Sequence, residues 1–242
     1  MKIKILGNGG YVNKGLPYNS FIINSKLLVE CPPDIMVSLH REKVNLPLIE
    51  EIFISHLHGD HCFGFPFFVY HFYHNEINVK FRLFSVKEAK EHLIDLTEKA
   101  LSAGNPCIDW INKNIEFVNI SDNPEISLLN YKARLFRMDH SRENYGFVLY
   151  DNGRSSLSYI SDTKWSENIE AMLKENPKAV LVDLAGEPED KNPVHLSEKE
   201  IIAKGIKLVS KETIFYGTHL IHKKKSSHHR IKYVKPGMKI KI

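Results

Sequence analysis

"EIFISHLHGDHCFG", residues 51–64, sets an apolar β-type run directly before His56, His58, Asp60 and His61. From the chain's own histidine and aspartate frequencies, HxHxDH would arise by chance in roughly one such chain per thousand. Alternate residues leaving a strand end point the same way, so His56 and His58 can share one ion. The next two residues can curl over the same pocket and bring Asp60 and His61 to a neighbouring ion. Four imidazole or carboxylate donors do not complete two metal sites. The pattern therefore predicts further His or Asp residues, each at the end of a β-type run. Three such runs follow: "RLFRMDH" ends in His140, "LSYISD" in Asp162 and "TIFYGTH" in His219. Ligands seated just beyond strand ends let a rigid sheet hold a metal constellation while loops shape the substrate pocket.

The remaining β-type runs include "KIKIL" (2–6), "SFII" (20–23), "KLLVE" (26–30), "VKFRLF" (79–84), "IEFVNI" (115–120), "YGFVLY" (145–150), "KAVLVDL" (178–184) and "MKIKI" (238–242). Helical periodicity marks 34–43, 64–74, 87–104, 166–175 and 197–210. In the third of these, Ser85 reads as the N-cap, with Ala89, Leu93, Leu96 and Ala100 near the spacing of one buried face. In the last, Ser197 is the N-cap and Glu200 the third helical residue. Hairpins dominate the first thirty residues and 126–161, and β-to-α alternation dominates elsewhere. This inventory predicts two sheets packed face to face with helices outside. With no linker or composition break, a single domain over 1–242 is expected.

A hydrophobic share of 43% over 242 residues supports a buried core. The net charge of +4 is unevenly placed: residues 213–242 hold eight Lys or Arg and no Asp or Glu, while the first 212 carry 25 basic residues against 29 acidic. Such a local positive field favours an anionic ligand. Within it, "THLIHKKKSSHHR" (218–230) reads as His219 followed by a cationic rim of Lys223, Lys224, Lys225 and Arg230, with His222, His228 and His229 at the surface. No run of about 18 apolar residues exists, and "MKIKILGNGG" lacks the regions of a signal peptide, so a cytoplasmic protein without membrane contact is expected. Cys31, Cys62 and Cys107 form no CxxC pair and indicate neither a disulfide framework nor a thiolate zinc knuckle.

These residues, in this order, resemble the metallo-β-lactamase superfamily. Within it, the chain is most similar to the phosphodiesterase branch that includes ribonuclease Z and the cyclic-phosphate phosphodiesterases of phosphonate breakdown. The resemblance runs from "KIKILGNGG" through "YNSFII", "HLHGDH", "MDH", "SDT", "VHLS" and "GTH" to "KPGMKI". It implies a four-layer αβ/βα sandwich of α/β class. It also implies two divalent ions, one on His56, His58 and His140, the other on Asp60, His61 and His219, with Asp162 bridging. Imidazole-rich sites with carboxylate suit Zn2+, with Mn2+ or Fe as alternatives.

In ribonuclease Z-like enzymes a histidine some 33 residues after the bridging aspartate contacts the phosphate. Here His195 follows Asp162 by 33 positions. The resemblance implies that two cations bind phosphate oxygens and activate a water. Asp60 would orient that water, and His195 would protonate the departing oxygen. Asp183, ending "AVLVDL", would orient His195. The substrate expected is an anionic phosphodiester, a small or cyclic nucleotide or a sugar-phosphate diester, met by Lys223, Lys224 and Lys225. Homodimers are common among similar proteins.

Ribonuclease Z carries a long arm that grips tRNA, in one common form between the third histidine and the bridging aspartate. Here that interval, 140–162, reads as a hairpin, which weighs against RNA 3′-end endonuclease activity. The phosphonate-type enzymes usually carry a structural zinc on N-terminal cysteines, and this chain has no cysteine before Cys31. Two further readings stay open. A lactone, β-lactam or thioester hydrolase would use the same ions, with the aromatic run "FGFPFFVYHFYH" (63–74) as an apolar pocket wall or a dimer face. A non-enzymatic nucleic-acid-binding module would keep structural metal and contact phosphates through the basic C-terminal segment, with Tyr216 and Tyr233 nearby.

Overall fold

Residues 1–187 and 194–242 are described by the computed structural model, and their contacts separate into two units. The first comprises Met1–Gly7, Pro17–Asp122 and Pro236–Lys241; the second comprises Asn8–Leu16 and Asn123–Lys235, with Ile242.

In the first unit, β1 (Lys2–Gly7), β2 (Ser20–Ile23) and β3 (Leu27–Val29) form an antiparallel meander, with the terminal strand Lys239–Lys241 on the outer edge of β1. Beyond β3 the sheet turns parallel through β4 (Glu51–Phe53), β5 (Phe81–Ser85) and β6 (Ile115–Asn119). Parallel neighbours require crossovers, and helices supply them. These are α1 (Ile35–Arg41), the short α2 (Gly59–Cys62) with α3 (Phe65–His74), then α4 (Ala89–Leu101) with α5 (Cys107–Asn114). Strands β2, β3 and β4 are buried at every residue, as central strands covered on both faces must be. Most of the aromatic run goes to the core: Phe65, Phe68, Val69 and Phe72 repeat at helical spacing and are buried, leaving Phe63 and Phe67 exposed.

The second unit mirrors this plan. Strands β7 (Glu125–Leu128), β8 (Tyr131–Arg137), β9 (Tyr145–Asp151) and β10 (Arg154–Ile160) are antiparallel; β10, β11 (Ala179–Asp183), β12 (Ile214–Thr218) and β13 (Ile231–Tyr233) are parallel. Helices α6 (Glu167–Lys174) and α7 (Glu198–Ala203) make the first two crossovers, and the loop 219–230 makes the third. Their apolar faces, including Met172, Leu173 and Ile201, join Val180, Val182 and Phe215 in the unit's core.

Two sheets with helices on their crossovers are what the inventory of β-type runs predicts. The α7 start also follows expectation: Ser197 and Glu200 form a reciprocal capping box. Ser85 is a correction. It ends β5, where its carbonyl accepts from Ile120 N at 2.9 Å, and α4 begins only at Ala89 with Glu88 as its N-cap. Among the described residues no helix is long and apolar enough to cross a membrane. All three cysteines are free and buried.

One close approach fixes where the HxHxDH segment leaves the first sheet. Cys31 N donates to His61 O at 2.8 Å and Gly64 N to Cys31 O at 2.9 Å, clamping the loop after β3 onto α2. A side-chain carbon on Gly64 would fall 2.0 Å from the Pro32 carbonyl oxygen, so only glycine permits this contact. Replacing Gly64 by Ala is expected to cost about 1–3 kcal/mol through forced backbone displacement, read as a lowered urea midpoint at unchanged m-value.

Candidate metal centre

Each unit carries a set of imidazole and carboxylate donors at the ends of its parallel strands. In the first, Ile54 extends the buried line of β4 and Ser55, His56, Asp60 and His61 lie beyond it, all buried. His56 Nδ1 lies 3.0 Å from Ser55 Oγ, which turns Nε2 toward His58, whose Nδ1 is 3.0 Å away. His61 Nδ1 lies 3.3 Å from Glu30 Oε2, leaving Nε2 toward Asp60 Oδ2 at 3.6 Å. For metal–nitrogen bonds of about 2.0–2.1 Å the edge of a tetrahedron is about 3.3 Å, so both spacings suit donors sharing an ion.

Glu30 is a site residue that the sequence reading passed over. It is fully buried, sits in the left-handed backbone region at φ 66°, and also accepts from Ser55 N at 3.2 Å. Its signal was its place after the buried run "LLV", the same strand-end position that marks His140, Asp162 and His219. A glutamate there holds the outer nitrogen of an imidazole rather than an ion.

In the second unit, Asp162, Asp183, His195 and His219 each offer a donor atom within 4.8 Å of the others. His219 Nε2 lies 3.5 Å from Asp162 Oδ1, again near a tetrahedral edge, and His140 Nε2 lies 4.0 Å from Asp162 Oδ2. Asp183 is the hub. Its Oδ2 is 2.6 Å from His195 Nδ1, its Oδ1 is 3.5 Å from His219 Nδ1, and Oδ1 also accepts from Ala185 N at 2.9 Å. Burial pushes the Asp183 carboxyl up, but the charge and hydrogen bond of His195 outweigh it and hold the group below its usual range. Burial likewise lowers His195, yet the Asp183 carboxylate, with Asp162 beyond it, raises the imidazole above its ordinary value.

His219 occupies the left-handed region at φ 59°, a conformation rare outside glycine and held here by its neighbours. Leu220 N donates to Asn8 O at 2.7 Å, Gly10 N to Leu220 O at 3.1 Å, and Lys14 N to Ile221 O at 2.8 Å. A side chain at Gly10 would lie 2.9 Å from His219 Nδ1, so the glycine leaves room for the imidazole.

The basic segment does not behave as one rim. Arg230 is buried and spends its guanidinium on the carbonyls of Thr213, at 3.0 Å from Nε, and Ser210, which removes it from the expected rim. Lys224 is ion-paired with Glu187 at 2.7 Å, whereas Lys223 and Lys225 are exposed. His228 and His229 stack on each other with ring centres 4.5 Å apart.

Comparison with known proteins places this geometry. Residues 1–235 match the family described as Anti-Pycsar protein Apyc1. A ribonuclease Z of Picrophilus torridus is 29% identical over 153 residues, covering 61% of this chain and 47% of that protein. One from Metallosphaera sedula is 23% identical over 206 residues, 78% of this chain and 63% of the relative. The chain thus spans about half the length of the first of these curated relatives. Among solved structures, the metallo-β-lactamase fold protein YhfI of Bacillus subtilis superposes at a TM-score of 0.76 with 12% identity, covering 99% of this chain and 98% of that one. Human tRNase Z, short form, superposes at 0.75 with 16% identity over 100% and 99% of the two chains. The fold is therefore the metallo-β-lactamase fold.

Removing the partner that turns His61 is the direct check on the first donor set. Glu30→Gln is expected to weaken metal retention about 10- to 100-fold. Competition with a chelator of known affinity, monitored beside an unchanged thermal transition of the metal-free protein, reads that loss.

Proposed function

Because the chain belongs to the Anti-Pycsar protein Apyc1 family, a family of cyclic nucleotide phosphodiesterases, we propose that it hydrolyses a phosphodiester with two divalent metal ions, a small or cyclic nucleotide being the substrate class. One ion falls to His56, His58 and His140, the other to Asp60, His61 and His219, and Asp162 is common to both. Imidazole and carboxylate together favour zinc, with manganese or iron as alternatives. Bound there, the ions would polarise the phosphate oxygens and acidify a water for in-line attack.

The observation that carries the reading is Asp183, one buried carboxylate reaching Nδ1 of both His195 and His219. It fixes the His219 tautomer so that Nε2 is the ligating nitrogen. It also raises the His195 imidazole above its ordinary value, which favours the protonated form, and leaves Nε2 for the leaving oxygen. His195 would then donate that proton as the ester bond breaks, while Asp60 accepts a hydrogen bond from the attacking water. Lys223 and Lys225 lend a positive field that raises the local concentration of an anionic substrate.

An RNA 3′-end endonuclease is the second reading, and the curated relatives named ribonuclease Z favour it. Against it, the interval from His140 to Asp162 is filled by the hairpin of β9 and β10, which leaves no arm there to grip tRNA.

Metal-replete protein is expected to hydrolyse bis-p-nitrophenyl phosphate; turnover no higher than that of His58→Ala would sink the proposal. A proton donor matters most when the leaving group is poor, and such donors contribute about 10²–10⁴-fold. His195→Ala should therefore lose about a hundredfold or more in kcat on a cyclic nucleotide and far less on a p-nitrophenyl ester. Asp183 raises the His195 pKa, so removing its charge lowers it: in Asp183→Asn the alkaline limb of the kcat profile should move to lower pH. A limb that stays in place would remove His195 from the acid role.

A further inference from the structure

Part of the basic segment builds a cavity of its own, apart from the long-range field that Lys223 and Lys225 lend the substrate. About 600 Å³ in volume, it lies within the second unit and is lined by Glu198, Lys199, Lys223, Lys225, Ser227 and Tyr233, among others. Volumes of about 300–1,000 Å³ are those of small-molecule sites.

Glu198, the first residue of α7, shapes this cavity. Its Oε1 accepts from Ser226 Oγ at 3.0 Å and from both Ser227 N and Ser227 Oγ at 2.8 Å, and its Oε2 accepts from Tyr233 OH. Burial pushes this carboxyl up, but those donors prevail and hold it below its usual range, so it remains a fixed acceptor around neutral pH. One side chain thus pins the loop that carries the lysines. The second acid at the cavity, Glu187, is engaged by Lys224. Lys199, Lys223 and Lys225 also line the cavity, and among the described residues none of the three has an ion-pair partner. Three ammonium groups gathered at one cavity repel one another, and a bound anion relieves that repulsion.

We propose that this cavity is a second anion site that takes a phosphomonoester, with Glu198 as the residue that positions it. The ligand class rests on the phosphodiesterase reading. Opening a cyclic phosphodiester adds water across one P–O bond and turns a monoanion into a phosphomonoester, whose second pKa of about 6 leaves it near charge −2 at pH 7. Coulomb attraction scales with charge, so the lysines hold the product more tightly than the substrate. The site would retain product after its release from the metals.

The test separates this site from the metals by titrating His58→Ala/His219→Ala protein, in which each proposed ion loses a ligand, calorimetrically with inorganic phosphate, adenosine 5′-monophosphate and cyclic adenosine monophosphate. One saturable equivalent is expected, about tenfold or more tighter for the monophosphate than for the cyclic ester. It should weaken with salt, and it should be lost in the Lys199→Ala/Lys225→Ala background. Should that double variant fold poorly, wild-type protein serves: it should bind two equivalents of the monophosphate, and the lysine pair variant one. Absence of saturable binding, equal affinity for the two esters, or binding indifferent to the lysines would overturn the proposal. No turnover enters this readout, so failure of the phosphodiesterase reading would show separately, as missing hydrolysis with this binding intact.

Discussion

A carboxylate with no exposure to water must be surrounded by donors, and Asp183 meets that requirement at the end of β11 with two imidazoles and a backbone amide. Much of the second unit's donor set follows from this constraint. A buried anion beside two histidines orients both rings and raises the His195 imidazole above its ordinary value. The first unit meets the same demand with Glu30, buried against His61 and Ser55. In both units, then, a buried carboxylate lies against a histidine of the donor set.

The strands that carry these groups were readable because they are central. β3, β4 and β11 are covered on both faces and appear as unbroken apolar runs, so their ends could be placed to within a residue or two. The two edge strands of the second sheet were not readable. β7 is half exposed, and β13 spans only Ile231–Tyr233, so neither displays a pattern separable from loop. Ser85 misled because a serine ahead of a helical pattern resembles an N-cap, whereas its backbone was already committed to the sheet pairing of β5 with β6. Glu30 went unnoticed for a chemical reason: it is not a ligand type of the HxHxDH pattern, and its role appears only once His61 is seen against it.

Charge in the C-terminal segment shows a different limit. Sequence locates the basic excess but not its allegiance. Arg230 turned inward to cap carbonyls and Lys224 joined Glu187, which leaves Lys223 and Lys225 of this segment, with Lys199 from α7, at the cavity. What decides the matter is Glu198, whose hydrogen bonds to Ser226, Ser227 and Tyr233 are long-range in sequence and invisible to any local pattern.

The central claim is the proposed assignment of these histidines and aspartates to two metal ions, and metal stoichiometry addresses it most directly. Metal bound per chain should be measured after equilibrium dialysis for wild-type protein, for His61→Ala from the first unit, for His219→Ala from the second, and for the double variant. If His61 and His219 serve the same ion, wild type holds two ions, and each single variant and the double variant hold one. A double variant that loses both ions while each single variant loses one would assign the two histidines to separate ions and contradict the account.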